Sequence, residues 1–166
     1  MPSFDSELFW CHSIDIYRNQ EIADLCLRLQ NHEGLNVNLM LLCSFLSTQG
    51  YLATVETFRQ TASNHDFCHW NQTVTINLRC SRQAIAKNSN DQQRDELRRS
   101  ILAAELQAER VEQKLLISAL NNTNPAAQPS DIQGSGNNII NYWQAQTTKA
   151  ASGDLLTLIE QLDKLV

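Results

Sequence analysis

Residues 34–50 decide the fold, because the centre of this stretch is apolar on every side. They read GLNVNLMLLCSFLSTQG, and eight of the ten residues in the range Val37–Leu46 are apolar. A helix that is apolar nearly all round belongs in the middle of a helical bundle. Asn36 is a good N-cap residue ahead of this run, and Gly34 suits the left-handed position that ends a preceding helix.

The sequence around this helix lacks the residues that a β domain needs. No proline occurs between residues 3 and 124, glycine occurs there only at positions 34 and 50, and the chain has no Asn-Gly or Asp-Gly pair. Because multistranded sheets depend on such turns, the fold predicted is all-α. We expect a compact bundle of four to six helices with one long helix, followed by a flexible linker and a C-terminal amphipathic helix.

Helical spacing of apolar residues locates the first elements. Trp10, Ile14 and Tyr17 form one stripe of a first helix, and we expect this stripe to face the core. Thr54 is placed to cap a fourth helix that continues to about residue 63. The second helix, over residues 20–32, should bury Ile22, Leu25, Cys26 and Leu29.

Residues 70–80 fit two interpretations. Val74, Ile76, Leu78 and Cys80 alternate with polar residues, which is typical of a half-buried strand. No second alternating segment is visible, and a strand without a partner is marginal. We therefore favour a helix here and keep the strand as the alternative.

Residues 91–121 predict the long helix. Six of its residues are spaced 4, 3, 4, 3 and 4 apart, a coiled-coil-like seam formed by Leu97, Ile101, Ala104, Ala108, Val111 and Leu115. At 1.5 Å per residue such a helix extends roughly 46 Å, longer than a compact domain of this size is wide. It should bend, overhang the core or meet a partner.

The sequence as a whole predicts three regions. Residues 1–120 form a helical domain, residues 121–138 are polar and form a flexible linker, and residues 139–166 form a C-terminal helical segment. We expect its last helix, residues 154–166, to dock on the body or on a partner through an apolar face that carries Leu155, Leu158, Ile159, Leu162 and Leu165.

Candidate chemistry is sparse, and no catalytic or cofactor-binding motif stands out. His65, Cys68 and His69 could contribute to a metal site, but a fourth ligand is missing nearby, and a capped turn of ordinary side chains is the simpler interpretation. We predict that Glu105, Glu109 and Glu112 are solvated and pair with Arg110 and Lys114.

A basic stretch offers a second function. Arg79, Arg82, Arg98 and Arg99 could contact phosphate or RNA, although no aromatic residue is interleaved for base stacking, and a solvated face is the alternative. The whole chain carries 13 basic against 18 acidic residues, which argues against a nucleic-acid coat protein or a polybasic membrane anchor.

The expected location is the cytoplasm. The first residues lack the basic and apolar regions of a secretory signal, and no stretch is apolar for the roughly 20 residues that cross a bilayer. Five cysteines, an odd number without Cys-x-x-Cys spacing, favour reduced thiols over a disulfide framework.

Several segments together resemble a known family. They are Trp10 and Tyr17, the segment CLRLQ at residues 26–30, GLNVNLMLLC at 34–43, and AELQAER at 104–110. Across roughly residues 7–117 they resemble the small proteobacterial proteins grouped as domain of unknown function 2390. The resemblance implies a helical cytoplasmic protein, and it brings no reaction or catalytic residue with it.

The functional prediction is a non-catalytic cytoplasmic protein-protein interaction or adaptor module. It would bind a protein partner or a second copy of itself through the seam of residues 97–115 or the helix of residues 154–166. The alternative is an RNA- or phosphate-contacting factor that uses the Arg79–Arg99 stretch. A helical enzyme or metal-binding protein is a further alternative with less support.

Overall fold

The computed structural model describes residues 3–123, 128–129 and 136–165. The elements in these ranges are α1 (Ser6–Tyr17), α2 (Gln20–Glu33), α3 (Val37–Thr48), β1 (Tyr51–Leu52), α4 (Val55–Ala62), α5 (His65–Trp70), a π-helical turn (Asn71–Thr75), α6 (Ile76–Gln83), α7 (Gln92–Asn122), β2 (Gln128–Pro129), α8 (Gly136–Gln146) and α9 (Gly153–Asp163). The predicted all-α class is confirmed. The helices α1–α7 form six continuous segments, because α5, the π-helical turn and α6 follow one another without a break.

Helix α3 lies at the centre, as its sequence predicts. Every residue from Asn38 to Leu46 is buried, and α3 contacts α1, α2, α7 and α8. The side chain of Asn36 caps the helix by accepting a hydrogen bond from the Leu39 amide at 3.1 Å. Gly34 ends α2 with a φ of 72°, a left-handed conformation that glycine adopts without strain.

The prediction of which face of α1 packs on the core is wrong, and the face beside it is the buried one. The buried residues are Phe9, Ser13 and Ile16, and the Phe9 ring packs on Phe45 of α3 with centroids 5.3 Å apart. Ser13 tolerates burial because its hydroxyl donates to the Phe9 carbonyl at 2.9 Å. The predicted stripe of Trp10, Ile14 and Tyr17 lies on the neighbouring face and lines a cleft instead.

The two C-terminal helices pack on the body. Helix α9 packs on α2, and Arg28 of α2 pairs with Asp154 at 3.0 Å. Helix α8 packs on α3 and α4 and carries the buried Asn138. The buried apolar row of α9 consists of Leu155, Leu158 and Leu162.

Asn138 joins α8 to the chain between α3 and α4. Its side chain accepts a hydrogen bond from the Ala53 amide at 2.8 Å and donates one to the Tyr51 carbonyl at 2.7 Å. Beside this contact β1 and β2 form a two-residue antiparallel pair, with Tyr51 opposite Pro129. The described part of the chain contains no larger sheet, so this pair leaves the fold class unchanged.

Residues 70–80 are helical, which confirms the favoured interpretation over the strand. The π-helical turn at Asn71–Thr75 has consequences for the side chains that follow it. Eight residues of regular α-helix would turn Arg79 roughly 80° away from Asn71. Because a π turn has more residues per turn, it reduces this rotation, and both side chains contact α7.

Helix α7 begins at the Asp91 cap, within one residue of the predicted start. It has no buried residue before Glu105, so about 20 Å of its N-terminal part overhangs the core and contacts α6. Within the predicted seam Leu97 and Val111 are exposed, whereas Ala108 is buried. The buried residues of α7 are Glu105, Ala108, Glu112, Gln113, Leu116, Ile117, Ala119 and Leu120.

The predicted linker falls mostly on residues 124–127 and 130–135, which lie outside the described residues. At its two ends, residues 121–122 belong to α7 and residues 136–138 belong to α8. In the described part of the chain, no helix combines the length and the apolar character that a membrane crossing requires.

Candidate functional site

A cleft of about 390 Å³ is lined by side chains from α1, α2, α3, α6 and α7. Its volume lies within the range of ordinary ligand pockets. The stripe of α1 that was predicted to face the core, Trp10, Ile14 and Tyr17, lines this cleft. The apolar lining includes Trp10, Ile14, Tyr17, Leu27, Leu102 and Leu106.

Four of these apolar side chains are strongly exposed. Ile14 is 40% exposed and Leu27 is 42% exposed, while Leu102 and Leu106 of α7 are 41% and 48% exposed. Single exposed apolar residues are common on protein surfaces, but a group around one concave surface is typical of a binding site.

Arg79 supplies the polar part of the cleft. Its Nε donates to Oε1 of Glu105 at 3.2 Å, its Nη2 donates to Oε1 of Glu109 at 3.1 Å, and its Nη1 donates to Oε1 of Gln30 at 2.9 Å. Arg82 also donates to both carboxylate oxygens of Glu105. These interactions tie α6 to α7 and α2.

The two glutamates of this network have different acidities. Burial disfavours ionisation of Glu105, but its hydrogen bonds to Arg82 and Arg79 and their positive charges outweigh this effect and lower its pKa. Burial raises the pKa of Glu109, because a single arginine compensates it incompletely and Glu105 lies nearby. Glu109 is therefore the less well stabilised carboxylate of the cleft.

Glu112 is buried beside the cleft and held by amides. Asn36 and Asn38 each donate to its Oε1 at 3.0 Å, and Asn71 donates to its Oε2 at 3.1 Å. Because the Oδ1 atom of Asn36 caps α3, its amide nitrogen necessarily faces Glu112. No cation pairs with Glu112 within the described ranges.

This arrangement fixes the orientation of Gln113. Asn38 donates its Nδ2 to Glu112, so its Oδ1 is the acceptor for Nε2 of Gln113 at 2.8 Å. The same Nε2 also donates to Ser13 at 3.0 Å. The Oε1 atom of Gln113 is consequently left as a buried acceptor without a hydrogen-bond partner, in a residue that lines the cleft.

The prediction of three solvated glutamates is wrong. Glu105 and Glu112 are buried and Glu109 is partly buried, whereas Arg110 and Lys114 pair with Glu7 of α1. The sequence contained a signal, because Glu105, Ala108, Glu112 and Leu116 are spaced 3, 4 and 4 apart. We had placed these glutamates on the solvated side of α7 and not on the side that packs on the core.

The basic stretch is divided between two environments. Arg79 and Arg82 are mostly buried and ion-paired with Glu105 and Glu109. Arg99 is exposed, and the Nε atom of Arg98 is buried without a hydrogen-bond partner. A phosphate or RNA contact through these four arginines stays a prediction.

The His65–His69 segment does not converge on one point. The rings of His65 and His69 stack with centroids 6.0 Å apart, and the Cys68 thiol donates to the Ala62 carbonyl at 3.1 Å. No three His, Cys, Asp or Glu residues in the described part of the chain are grouped as a metal site requires.

Fold and site define a class: an all-helical protein with an apolar cleft whose polar part is an arginine–glutamate network. The chain belongs to the family described as "Protein of unknown function (DUF2390)", whose model matches residues 8–116. That range contains every residue that lines the cleft. No curated protein and no solved structure matches the chain.

Proposed function

We propose that this protein is a non-catalytic interaction module that binds an apolar segment of a protein partner in the cleft. The observation that carries the proposal is the group of four exposed apolar side chains, Ile14, Leu27, Leu102 and Leu106, around one cavity. A partner that covered them would remove apolar surface from water, the main favourable term in most protein association.

The shape of the cleft favours a protein segment over a small molecule. Drug-sized ligands bury most of their surface in a pocket. The apolar side chains Ile14, Leu27, Leu102 and Leu106 are each about two fifths exposed, so this cleft leaves one side of its occupant uncovered. An amphipathic protein segment can bind in such an open cleft, because its polar side faces the rest of the partner protein or the solvent.

The other predicted interaction surface is already used within the chain. The apolar row of α9 packs on α2, so the helix of residues 154–166 keeps little of its apolar face for a partner. Within the predicted seam, Leu97 and Val111 are exposed and stay available for a second contact.

The test is selection from a displayed library of random dodecapeptides. We expect the wild-type protein to enrich peptides with apolar residues and the Leu106→Asp variant to lose their binding. Leu156→Asp is the matched control, because Leu156 is 49% exposed against 48% for Leu106 but lies on α9. The proposal is overturned if no apolar peptide is enriched, or if both variants bind the selected peptides equally.

A further inference from the structure

On α7 the cleft has two hydrogen-bond acceptors, from Glu109 and Gln113, to which no described residue donates. Oε1 of Gln113 is buried and unpaired, and the residue as a whole is 1% exposed. Glu109 accepts from Arg79 through Oε1, and no described residue donates to its Oε2. Since Glu109 and Gln113 are one turn apart on α7, both acceptors lie on the same helix face.

The two arginines of the cleft are engaged with neighbouring side chains. Arg79 uses all three of its side-chain nitrogens, on Glu105, Glu109 and Gln30. Arg82 is bound to Glu105 through two nitrogens. An anionic group would therefore meet arginines that are already compensated, and it would lie close to carboxylates.

The orientation of the Gln113 amide is set by the side chains around it. Glu112 accepts from Asn38, which makes Asn38 the acceptor for Gln113 and leaves Gln113 with a free oxygen. A reversed Gln113 amide would place its oxygen where Nε2 now lies, beside Ser13 and against the Asn38 oxygen, which loses the 2.8 Å hydrogen bond to Asn38. At Glu109 and Gln113 the α7 side of the cleft therefore presents acceptors that lack a donor.

The aromatic walls also suit a positive charge. Trp10 and Tyr17 line the same cleft, and the Arg110 guanidinium lies over the Trp10 ring, 5.7 Å from its centroid. Cations bind favourably over such ring faces. The whole chain is acidic, with a net charge of −5, which favours encounter with basic partners.

Resting on the function proposed above, we propose that the segment bound in the cleft carries a lysine or arginine, whose cationic N–H group donates to Glu109 and Gln113. Its apolar neighbours pack on Leu27, Leu102 and Leu106. Burial raises the pKa of Glu109, and a bound cation would compensate the carboxylate that Arg79 serves incompletely.

The test uses three dodecapeptide libraries that differ only in a fixed central residue, Lys, Gln or Glu. On the wild-type protein we expect the Lys library to give binders about 10-fold tighter than the Glu library, the size of one charge-assisted hydrogen bond. On Glu109→Gln, which keeps the side-chain shape and an acceptor for Arg79, this preference should fall to near equality.

The outcomes separate the two proposals. If the Gln or Glu library binds the wild-type protein as tightly as the Lys library, and Leu106→Asp still abolishes binding, the inference fails and the proposed function stands. If no library yields binding that depends on Leu106, both fail. The wild-type comparison needs no variant, so a folding defect in Glu109→Gln leaves it decisive.

A further measurement distinguishes a small free amine from a basic protein segment as the occupant of the cleft. If the wild-type protein binds hexylamine as tightly as the best Lys peptide, the occupant is a small cationic molecule and the assignment to a protein segment is overturned. Failure of hexylamine to compete at concentrations that match the peptide supports it.

Discussion

Oδ1 of Asn38 accepts a 2.8 Å hydrogen bond from Nε2 of Gln113, which joins the central helix α3 to the long helix α7. Asn38 simultaneously donates to Glu112, so one buried amide connects a carboxylate with the cleft. Buried polar networks of this kind hold two helices in one register, because any shift leaves several groups unpaired. The position of the cleft-lining residues on α7 therefore depends on Glu112.

Replacement of Glu112 by glutamine should destabilise the protein. Three asparagine amides donate to this carboxylate, and a glutamine would set its NH2 group against one of those donors. We expect Glu112→Gln to lower the free energy of unfolding by about 2 kcal/mol. Urea denaturation measures it, with Glu96→Gln on the exposed first turns of α7 expected within about 0.5 kcal/mol of wild type. Equal midpoints for both variants would contradict the network.

The last helix should contribute to global stability. Leu158 of α9 is fully buried. The Leu158→Ala variant removes its packing and leaves a cavity. We expect a loss of about 3 kcal/mol in the free energy of unfolding, in one cooperative transition. Leu156→Ala, on the exposed face of the same helix, should lose less than about 1 kcal/mol. A separate early transition would show that α9 unfolds on its own.

Stability should decrease as the medium becomes mildly acidic, partly because of His12. Burial lowers the pKa of His12 below the ordinary value of 6.5, and its Nε2 lies 3.0 Å from Oγ of Ser44. The unfolded chain then binds the proton more tightly than the folded one, so the free energy of unfolding falls as pH drops through 6.5.

His12→Gln should reduce this fall between pH 7.5 and 5.5, by an amount on the order of 1 kcal/mol or less. Urea denaturation at several pH values measures it. His65→Gln is the control, because the ring of His65 is exposed. An unchanged pH profile in His12→Gln would assign the effect to other groups.

Thiol reactivity should divide the five cysteines. Cys11 and Cys80 are exposed, whereas Cys26 and Cys43 are buried, and burial raises the pKa of Cys26 to about 12. Because the thiolate is the reactive form, the two buried thiols should react only on unfolding. Labelling with an aromatic disulfide reagent, followed by mass mapping, measures this.

Cys11→Ser/Cys80→Ser should lose the fast phase of labelling. The half-buried Cys68 should then react more slowly than the exposed pair. Rapid labelling of Cys26 in the folded protein would show that α2 opens readily.

The sequence by itself determined the helical class, the long helix and the centre of the fold. A helix over residues 37–46 is apolar on nearly all sides, so only a position in the middle of the bundle removes these side chains from water. The Asn36 cap and the stop at Gly34 are local features, since each depends on a few neighbouring backbone groups. The helix at residues 91–121 was found within one residue at each end for the same reason.

Only the tertiary structure decided which faces are buried. Phe9 and Trp10 are adjacent and both apolar, and the choice between their stripes depends on where Phe45 of α3 lies. Likewise Glu105 is buried because Arg79 and Arg82 come from α6, more than twenty residues earlier, to neutralise it. A charge that is costly to bury alone becomes acceptable beside such partners, and no local pattern announces them.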